Sequence, residues 1–129
     1  MPDLTIKKNR PVWYNLSPVN LPVPAIVSIL HRISGILLFL ALLWGIYLLD
    51  LSLASEEGYR HVGEYMGHPL AKLGALVICW SFFHHFCAGI RYLLLDLHVG
   101  IDLGSARRSS QIVLVVSVIL TVIAGARLW

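Results

Sequence analysis

The stretch LGALVICWSFFHHFCAGI, residues 73–90, decides the fold, because its eighteen residues include no Asp, Glu, Lys or Arg. A charge-free run of this length is typical of a membrane-spanning helix rather than of a core helix in a soluble domain. It nevertheless carries two adjacent imidazoles, His84 and His85. Ionisable groups are costly in hydrocarbon, so those found there tend to mark a ligand, a cofactor or a pathway. The histidine pair is therefore the first candidate for function.

Two further charge-free runs, residues 33–49 and 109–126, complete the pattern in a chain of 129 residues that is 57% hydrophobic and 13% charged. Each run spans about 25 to 27 Å at about 1.5 Å per residue, close to the thickness of the bilayer hydrocarbon. We therefore predict an all-α membrane protein with three transmembrane helices, at about 25–50, 71–92 and 109–128. They form a single membrane-anchor domain over residues 1–129, with an N-terminal segment at 1–24. The first loop is expected to hold a short interfacial helix within residues 50–65.

The distribution of Lys and Arg predicts the orientation. The N-terminal segment through Arg32 and the second loop, residues 91–108, carry seven of these charges, whereas the first loop and the C-terminus carry three. The positive-inside rule then puts the N-terminus in the cytoplasm and the C-terminus in the periplasm. With no apolar signal region before residue 25, the first membrane helix is expected to direct its own insertion. Anchoring at anionic lipid headgroups explains the net charge of +3, and no nucleic-acid partner is needed.

Helical spacing separates the two histidines. Ser81, His85 and Gly89 fall at i, i+4 and i+8 on one face, while His84 points about 100° away, towards Ala88. Neutral imidazole is a common metal ligand, and a glycine one turn away leaves room for a flat macrocycle. This geometry favours His85 as a ligand and His84 as a packing residue. The same spacing equally permits a helix-packing groove of small residues in which a histidine bonds a neighbouring helix.

A second polar cluster lies at the start of the first membrane helix. Ser28 and Arg32 are four residues apart on one face, and His31 and Gly35 are four apart on the neighbouring face. A hydroxyl, an imidazole and a guanidinium together suit a quinone carbonyl or a carboxylate such as a haem propionate. Alternatively, Arg32 simply extends to the lipid headgroups. Both clusters are expected in the cytoplasmic half of the membrane.

The remaining polar residues predict packing or solvation. Ser117, Thr121 and Gly125 form a stripe of small residues typical of close helix contact. His61 and Glu64 are expected in a solvated loop. The sequence contains no nucleotide-binding glycine motif, no CxxC pair and no catalytic Ser–His or Cys–His grouping, so no catalysis is expected of this chain alone.

The chain resembles the cytochrome b556 membrane anchors of succinate dehydrogenase, respiratory complex II, across essentially its whole length. The signatures that carry the resemblance are Arg10-Pro11, then Ser28-x-x-His31-Arg32-x-Ser34-Gly35, then His85-x-x-x-Gly89-Ile90-Arg91…Asp96. Two positions depart from the family pattern. Tyr92 stands where the family usually has His or Phe, and Leu95 stands where it has an aromatic residue or Met.

The resemblance implies that His85 is an axial ligand of haem b, with the second axial histidine supplied by a partner anchor subunit. It implies that Ser28 and Arg32 help to form the ubiquinone site, and that His31 and Arg32 lie near the haem propionates. The implied partners are a flavoprotein that oxidises succinate, an iron–sulfur subunit and a second hydrophobic anchor, in the bacterial inner membrane.

The sequence is compatible with a second redox protein, and two non-redox interpretations are also possible. An anchor of a related fumarate reductase would carry nearly the same residues. A purely structural membrane subunit would use its histidines only in helix contacts. A small transporter is disfavoured because the third helix offers no polar path and the chain contains no inverted repeat.

Overall fold

The computed structural model describes residues 21–128, which form four helices. They are α1 (Val23–Ala54), α2 (Glu56–Gly67), α3 (Pro69–Asp96) and α4 (Leu103–Leu128). The Arg10-Pro11 signature and most of the N-terminal segment lie outside the described residues. Helices α1, α3 and α4 are each long and apolar enough to cross a membrane. The prediction of an all-α fold with three transmembrane helices is therefore confirmed.

The three long helices extend beyond the charge-free runs that predict them. They contain 32, 28 and 26 residues, so each is about 39 to 48 Å long, against about 30 Å of hydrocarbon. Their ends must therefore project into the headgroup regions or the helices must tilt. Pro24 lies in the first turn of α1 and Pro69 in the first turn of α3. Proline is tolerated there because a backbone N–H in the first turn would have no acceptor within the helix.

Helix α2 is the short helix expected in the first loop, although it begins later because α1 continues to Ala54. Ser55 caps it by accepting a hydrogen bond from the Gly58 N–H at 3.0 Å. Gly58 is buried against the end of α1, where a Cβ atom would collide with the Leu51 carbonyl oxygen. Glycine at this position therefore lets α2 fold back tightly on α1.

A tight turn joins α3 to α4 and replaces most of the expected second loop. His98 has a φ of 60°, and two backbone bonds close the end of α3: His98 N–H to Leu95 at 2.9 Å and Val99 N–H to Leu94 at 3.0 Å. This is the pattern of a Schellman cap. Asp102 then caps α4, because its carboxylate accepts a hydrogen bond from the Ser105 N–H at 2.9 Å.

The centre of the bundle is built from small residues. Val27, Ala88 and Val113 are its buried apolar side chains, one from each long helix. Ser81 and Ser117 are fully buried, and their hydroxyls donate to backbone carbonyls of their own helices. Small side chains allow membrane helices to approach closely. The predicted packing stripe on α4 is confirmed at Gly125, where a Cβ would lie 2.7 Å from Leu76 Cδ2 of α3.

Candidate functional site

The two polar clusters predicted separately meet in one place. The imidazole rings of His31 on α1 and His85 on α3 are stacked, with centroids 4.0 Å apart and planes inclined by 13°. Both rings are half-buried. The contact lies in the N-terminal half of α1 and the C-terminal half of α3, which are on the same side of the bundle. The site is thus formed between two helices.

The Nδ1 atom of His85 faces two oxygen atoms of α1. It lies 3.1 Å from the backbone carbonyl of His31 and 3.2 Å from Ser34 Oγ. The Ser34 hydroxyl donates its own hydrogen to the same carbonyl at 2.9 Å, so its oxygen can accept from His85. A carbonyl can only accept. Nδ1 therefore carries the hydrogen, and Nε2 keeps the lone pair that a metal ion requires.

Two glycines shape the site. A Cβ at Gly35 would lie 3.1 Å from His85 Cε1, so glycine is what lets the His85 ring approach α1. A Cβ at Gly89 would lie 3.9 Å from His31 Nε2. The space beside Gly89 is thus next to the His31 ring, where the sequence predicts room for a flat macrocycle.

His84 and His85 occupy different environments, as the helical geometry predicts. His84 is fully buried and stacks on Trp80, with centroids 5.2 Å apart. It shares its buried face with Ser81, Ala88 and Arg91. Neither of its ring nitrogens has a hydrogen-bond partner among the described residues. His84 is therefore a packing residue.

Ser81 does not belong to an open groove with His85. Its side chain is fully buried on the His84 face, and its hydroxyl donates to the Val77 carbonyl at 2.8 Å. The expectation that Ser81, His85 and Gly89 line one surface is wrong at this position. Residue 81 is one turn from both histidines, so helical spacing alone does not decide which of them it accompanies.

Ser28 and Arg32 stand beside the histidine contact on α1. Ser28 is half-buried and Arg32 is exposed. Neither makes a hydrogen bond with another residue in the described range.

Among the residues that the structure describes, no three His, Cys, Asp or Glu side chains are placed to hold a metal ion together. His61 contacts Glu57 rather than Glu64, at 3.5 Å on the exposed surface of α2. A metal ion at His85 would need its other ligands from outside this part of the chain.

Two residues near the histidine contact received no role from the sequence: Tyr92 belongs to the contact, and Arg91 lies beside Tyr92 on the side of α4. Tyr92 packs edge-on against His31, with centroids 5.2 Å apart, and its buried hydroxyl has no partner within residues 21–128. It lies seven residues, about two turns, after His85, so helical periodicity was the available signal. Arg91 is buried and donates from Nε to Ser109 Oγ at 2.9 Å. The Arg91 side chain thus links α3 to α4, in addition to placing a charge at the end of the charge-free run.

Comparison with known proteins identifies the family. Residues 6–124 match the model of the succinate dehydrogenase/fumarate reductase transmembrane subunit family. The chain is 38% identical to the succinate dehydrogenase cytochrome b556 subunit of Coxiella burnetii, over 93% of this chain and 97% of that protein. It is 31% identical to the subunit of the same name from Paracoccus denitrificans, over 89% of this chain and 88% of that protein. It is 29% identical to that of Rickettsia felis, over 92% of each. The chain therefore belongs to the succinate dehydrogenase/fumarate reductase transmembrane subunit family and is a multi-pass membrane protein.

Proposed function

We propose that this chain is a membrane-anchoring cytochrome b subunit of succinate:ubiquinone oxidoreductase. It binds haem b and ubiquinone, and it serves electron transfer from succinate oxidation to the quinone. The family match and the cytochrome b556 relatives support this assignment. One observation carries it: the Nδ1 atom of His85 is bonded to the α1 backbone, which leaves Nε2 for an iron atom.

The residues present fit a haem. His85 would hold the iron from this chain through its Nε2 atom. His84 would not hold it, because its ring is buried on another face of α3. A residue of the second hydrophobic anchor subunit would hold the iron as well. His31 and Arg32 would hold the propionates, and the haem, when bound, would supply a one-electron carrier whose potential depends on its ligands and burial.

The quinone site uses Ser28 and Arg32. Reduction of a quinone takes up two electrons and two protons, so negative charge develops on its carbonyl oxygens. The Ser28 hydroxyl donates a hydrogen bond to one carbonyl, and the positive charge of Arg32 stabilises the developing oxyanion. The exposed Arg32 guanidinium can reach a ligand that enters from the side of the bundle where α1 begins.

The assembly and its orientation follow from the same proposal. The N-terminus lies in the cytoplasm and the C-terminus in the periplasm of a bacterial inner membrane. A flavoprotein that oxidises succinate and an iron–sulfur subunit dock where α1 begins and α3 ends. The chain alone has no catalytic activity. An anchor of a fumarate reductase is the second candidate, because the family includes both enzymes; the cytochrome b556 relatives, named for succinate dehydrogenase, favour the first.

The test is purification of the intact complex from membranes through a tag on this chain. We expect three further subunits, a low-spin b-type haem spectrum on reduction, and succinate-dependent reduction of a ubiquinone analogue. Recovery of the chain without haem and without these partners would contradict the proposal and favour a purely structural role.

A further inference from the structure

A cavity lies on another side of α3 from the histidine contact. It has a volume of about 380 Å³ and runs between α3 and α4. Its walls are almost entirely apolar, and they include Cys87, Ile90 and Leu94 from α3 and Ile112, Val113 and Val116 from α4. We call it the α3–α4 groove. Neither His31 nor His85 lines it, so it is separate from the proposed haem and quinone site.

The length of the groove distinguishes between possible occupants. Its α4 wall extends from Ser105 to Val116, which corresponds to about 16 Å at about 1.5 Å per residue. This is about half of the roughly 30 Å of bilayer hydrocarbon, the depth of one leaflet. A transmembrane helix of a partner would require a groove along the whole span. The dimensions therefore fit an acyl chain of a lipid.

Positive charge lies at the end of the groove nearest the α3–α4 turn. Arg91 lines the groove and is only 6% exposed. Two of its N–H groups donate to Ser109 Oγ and to the Ala106 carbonyl. A guanidinium carries five such donors, so three remain. No carboxylate in the described part of the chain lies within ion-pair distance of Arg91. A buried charge without a counter-ion is costly, and an anionic ligand would compensate it.

A second arginine stands at the mouth of the groove. Arg108 is exposed and lies three residues after Ser105 and four before Ile112, so it shares the helical face of these two lining residues. The Asp102 carboxylate interacts with Arg108, but it also accepts the Ser105 N–H as the cap of α4. The groove thus combines an apolar floor of one-leaflet depth with two cations at its headgroup end.

We propose that the α3–α4 groove binds an anionic phospholipid, with one acyl chain along the groove and the phosphate at Arg91 and Arg108. Basic pockets between transmembrane helices are suited to acidic headgroups. The site lies outside the proposed redox centre and does not depend on haem or quinone binding at that centre.

The test uses the complete complex as purified, reconstituted into phosphatidylcholine nanodiscs. Each nanodisc carries a trace of a photoreactive lipid whose reactive group is on the acyl chain. In one sample this lipid is a phosphatidylglycerol, and in the other it is a phosphatidylcholine. We expect cross-links to the α3 and α4 peptides that line the groove, with about a fivefold preference for phosphatidylglycerol. Equal labelling by the two lipids would overturn the proposal, and so would protection of the groove by a helix of another subunit.

Two pairs of variants make the assignment specific. Val116→Trp fills the groove, whereas Val115→Trp places the same ring on the adjacent exposed position of α4 that does not line it. Labelling should be lost in the first variant and retained in the second. Arg108→Gln should reduce the headgroup preference severalfold, and Arg60→Gln on α2 should leave it unchanged. Equal labelling of the two tryptophan variants would exclude the groove as the site. If Val116→Trp does not assemble, the headgroup preference and its response to Arg108→Gln still decide.

Discussion

The backbone carbonyl oxygen of His31 lies 3.1 Å from Nδ1 of His85, which links α1 directly to the candidate iron ligand on α3. Because this acceptor belongs to the backbone of α1, the orientation of the His85 ring depends on how α1 and α3 pack. Ser34 adds a side-chain oxygen 3.2 Å from the same nitrogen. The Ser34 hydroxyl, unlike the carbonyl, can be removed by mutation.

Ser34→Ala should therefore weaken haem binding without removing the iron ligand. Groups that bond the distal nitrogen of a metal-bound histidine typically change metal affinity or activity by about 10- to 100-fold. We expect the lower end of that range, because the His31 carbonyl remains. Haem titration and redox potentiometry of the purified complex measure this. Ser110→Ala is the control, since its buried hydroxyl donates only to Ala106 of its own helix; equal effects of the two variants would refute the role of Ser34.

Gly35→Ala should displace the His85 ring. The added Cβ would lie 3.1 Å from His85 Cε1, so either the ring or the helix must move. We expect a reduced haem content per complex and an altered spectrum of the haem that remains. Gly45→Ala is a matched control on the same helix, because no atom lies within 4 Å of its added Cβ. It should keep the haem and gain up to about 1 kcal/mol of helix stability. A normal haem content in Gly35→Ala would mean that the close approach of α1 is not needed.

Arg32→Leu should depress quinone reduction while succinate oxidation by a soluble dye persists. The positive charge of Arg32 is proposed to act at the quinone and at the haem propionates, and succinate oxidation by the dye uses neither group. Its loss should therefore cost on the order of 10- to 100-fold in quinone reduction alone. Parallel assays with a ubiquinone analogue and the dye separate the two activities. Arg60→Leu, an exposed position on α2, should change neither. Equal loss of both activities in Arg32→Leu would indicate misassembly instead.

Asp102 should make the start of α4 sensitive to acid. The hydrogen bond from the Ser105 N–H holds the pKa of the Asp102 carboxyl below its ordinary value. A carboxyl whose pKa is lower in the folded protein stabilises the fold above its unfolded pKa, and this contribution disappears as the pH falls through its folded pKa. Asp102→Ala should thus melt at a lower temperature than the native chain at neutral pH, and the difference should vanish in acid. Asp102→Asn keeps a capping oxygen that does not titrate, so its melting temperature should lack this acid dependence. A pH-independent deficit in Asp102→Ala would argue against the carboxylate.

His98→Gly should stabilise the turn between α3 and α4. His98 has a φ of 60°, a conformation that costs a non-glycine residue about 1 to 2 kcal/mol. Thermal unfolding of the complex should show a higher midpoint for His98→Gly, whereas His98→Ala, which keeps a Cβ, should show no gain. Equal midpoints for the glycine and alanine variants would show that this turn does not limit stability.

The sequence predicts the three membrane helices and the different environments of His84 and His85, for a physical reason in each case. Hydrocarbon requires long apolar helices, so the three runs without charge identify them. The 100° rotation between neighbouring residues separates His84 from His85 without any knowledge of the partner helix. Ser81 shows the limit of this reasoning. It lies one turn from both histidines, and only the packing of the helices around α3 places it on the buried face. The contact of His31 with His85, the buried Tyr92 hydroxyl and the Arg91 bond to Ser109 likewise depend on how helices pair.

The most direct test of the proposed site is the absorption spectrum of the reduced complex carrying His85→Gly, recorded before and after addition of imidazole. The account predicts that the subunits still assemble, that the low-spin b-type spectrum is absent, and that free imidazole restores it by occupying the vacated position. His61→Gly on the exposed surface of α2 should keep the native spectrum throughout. A native low-spin spectrum in His85→Gly without imidazole would contradict the assignment of His85 as the iron ligand.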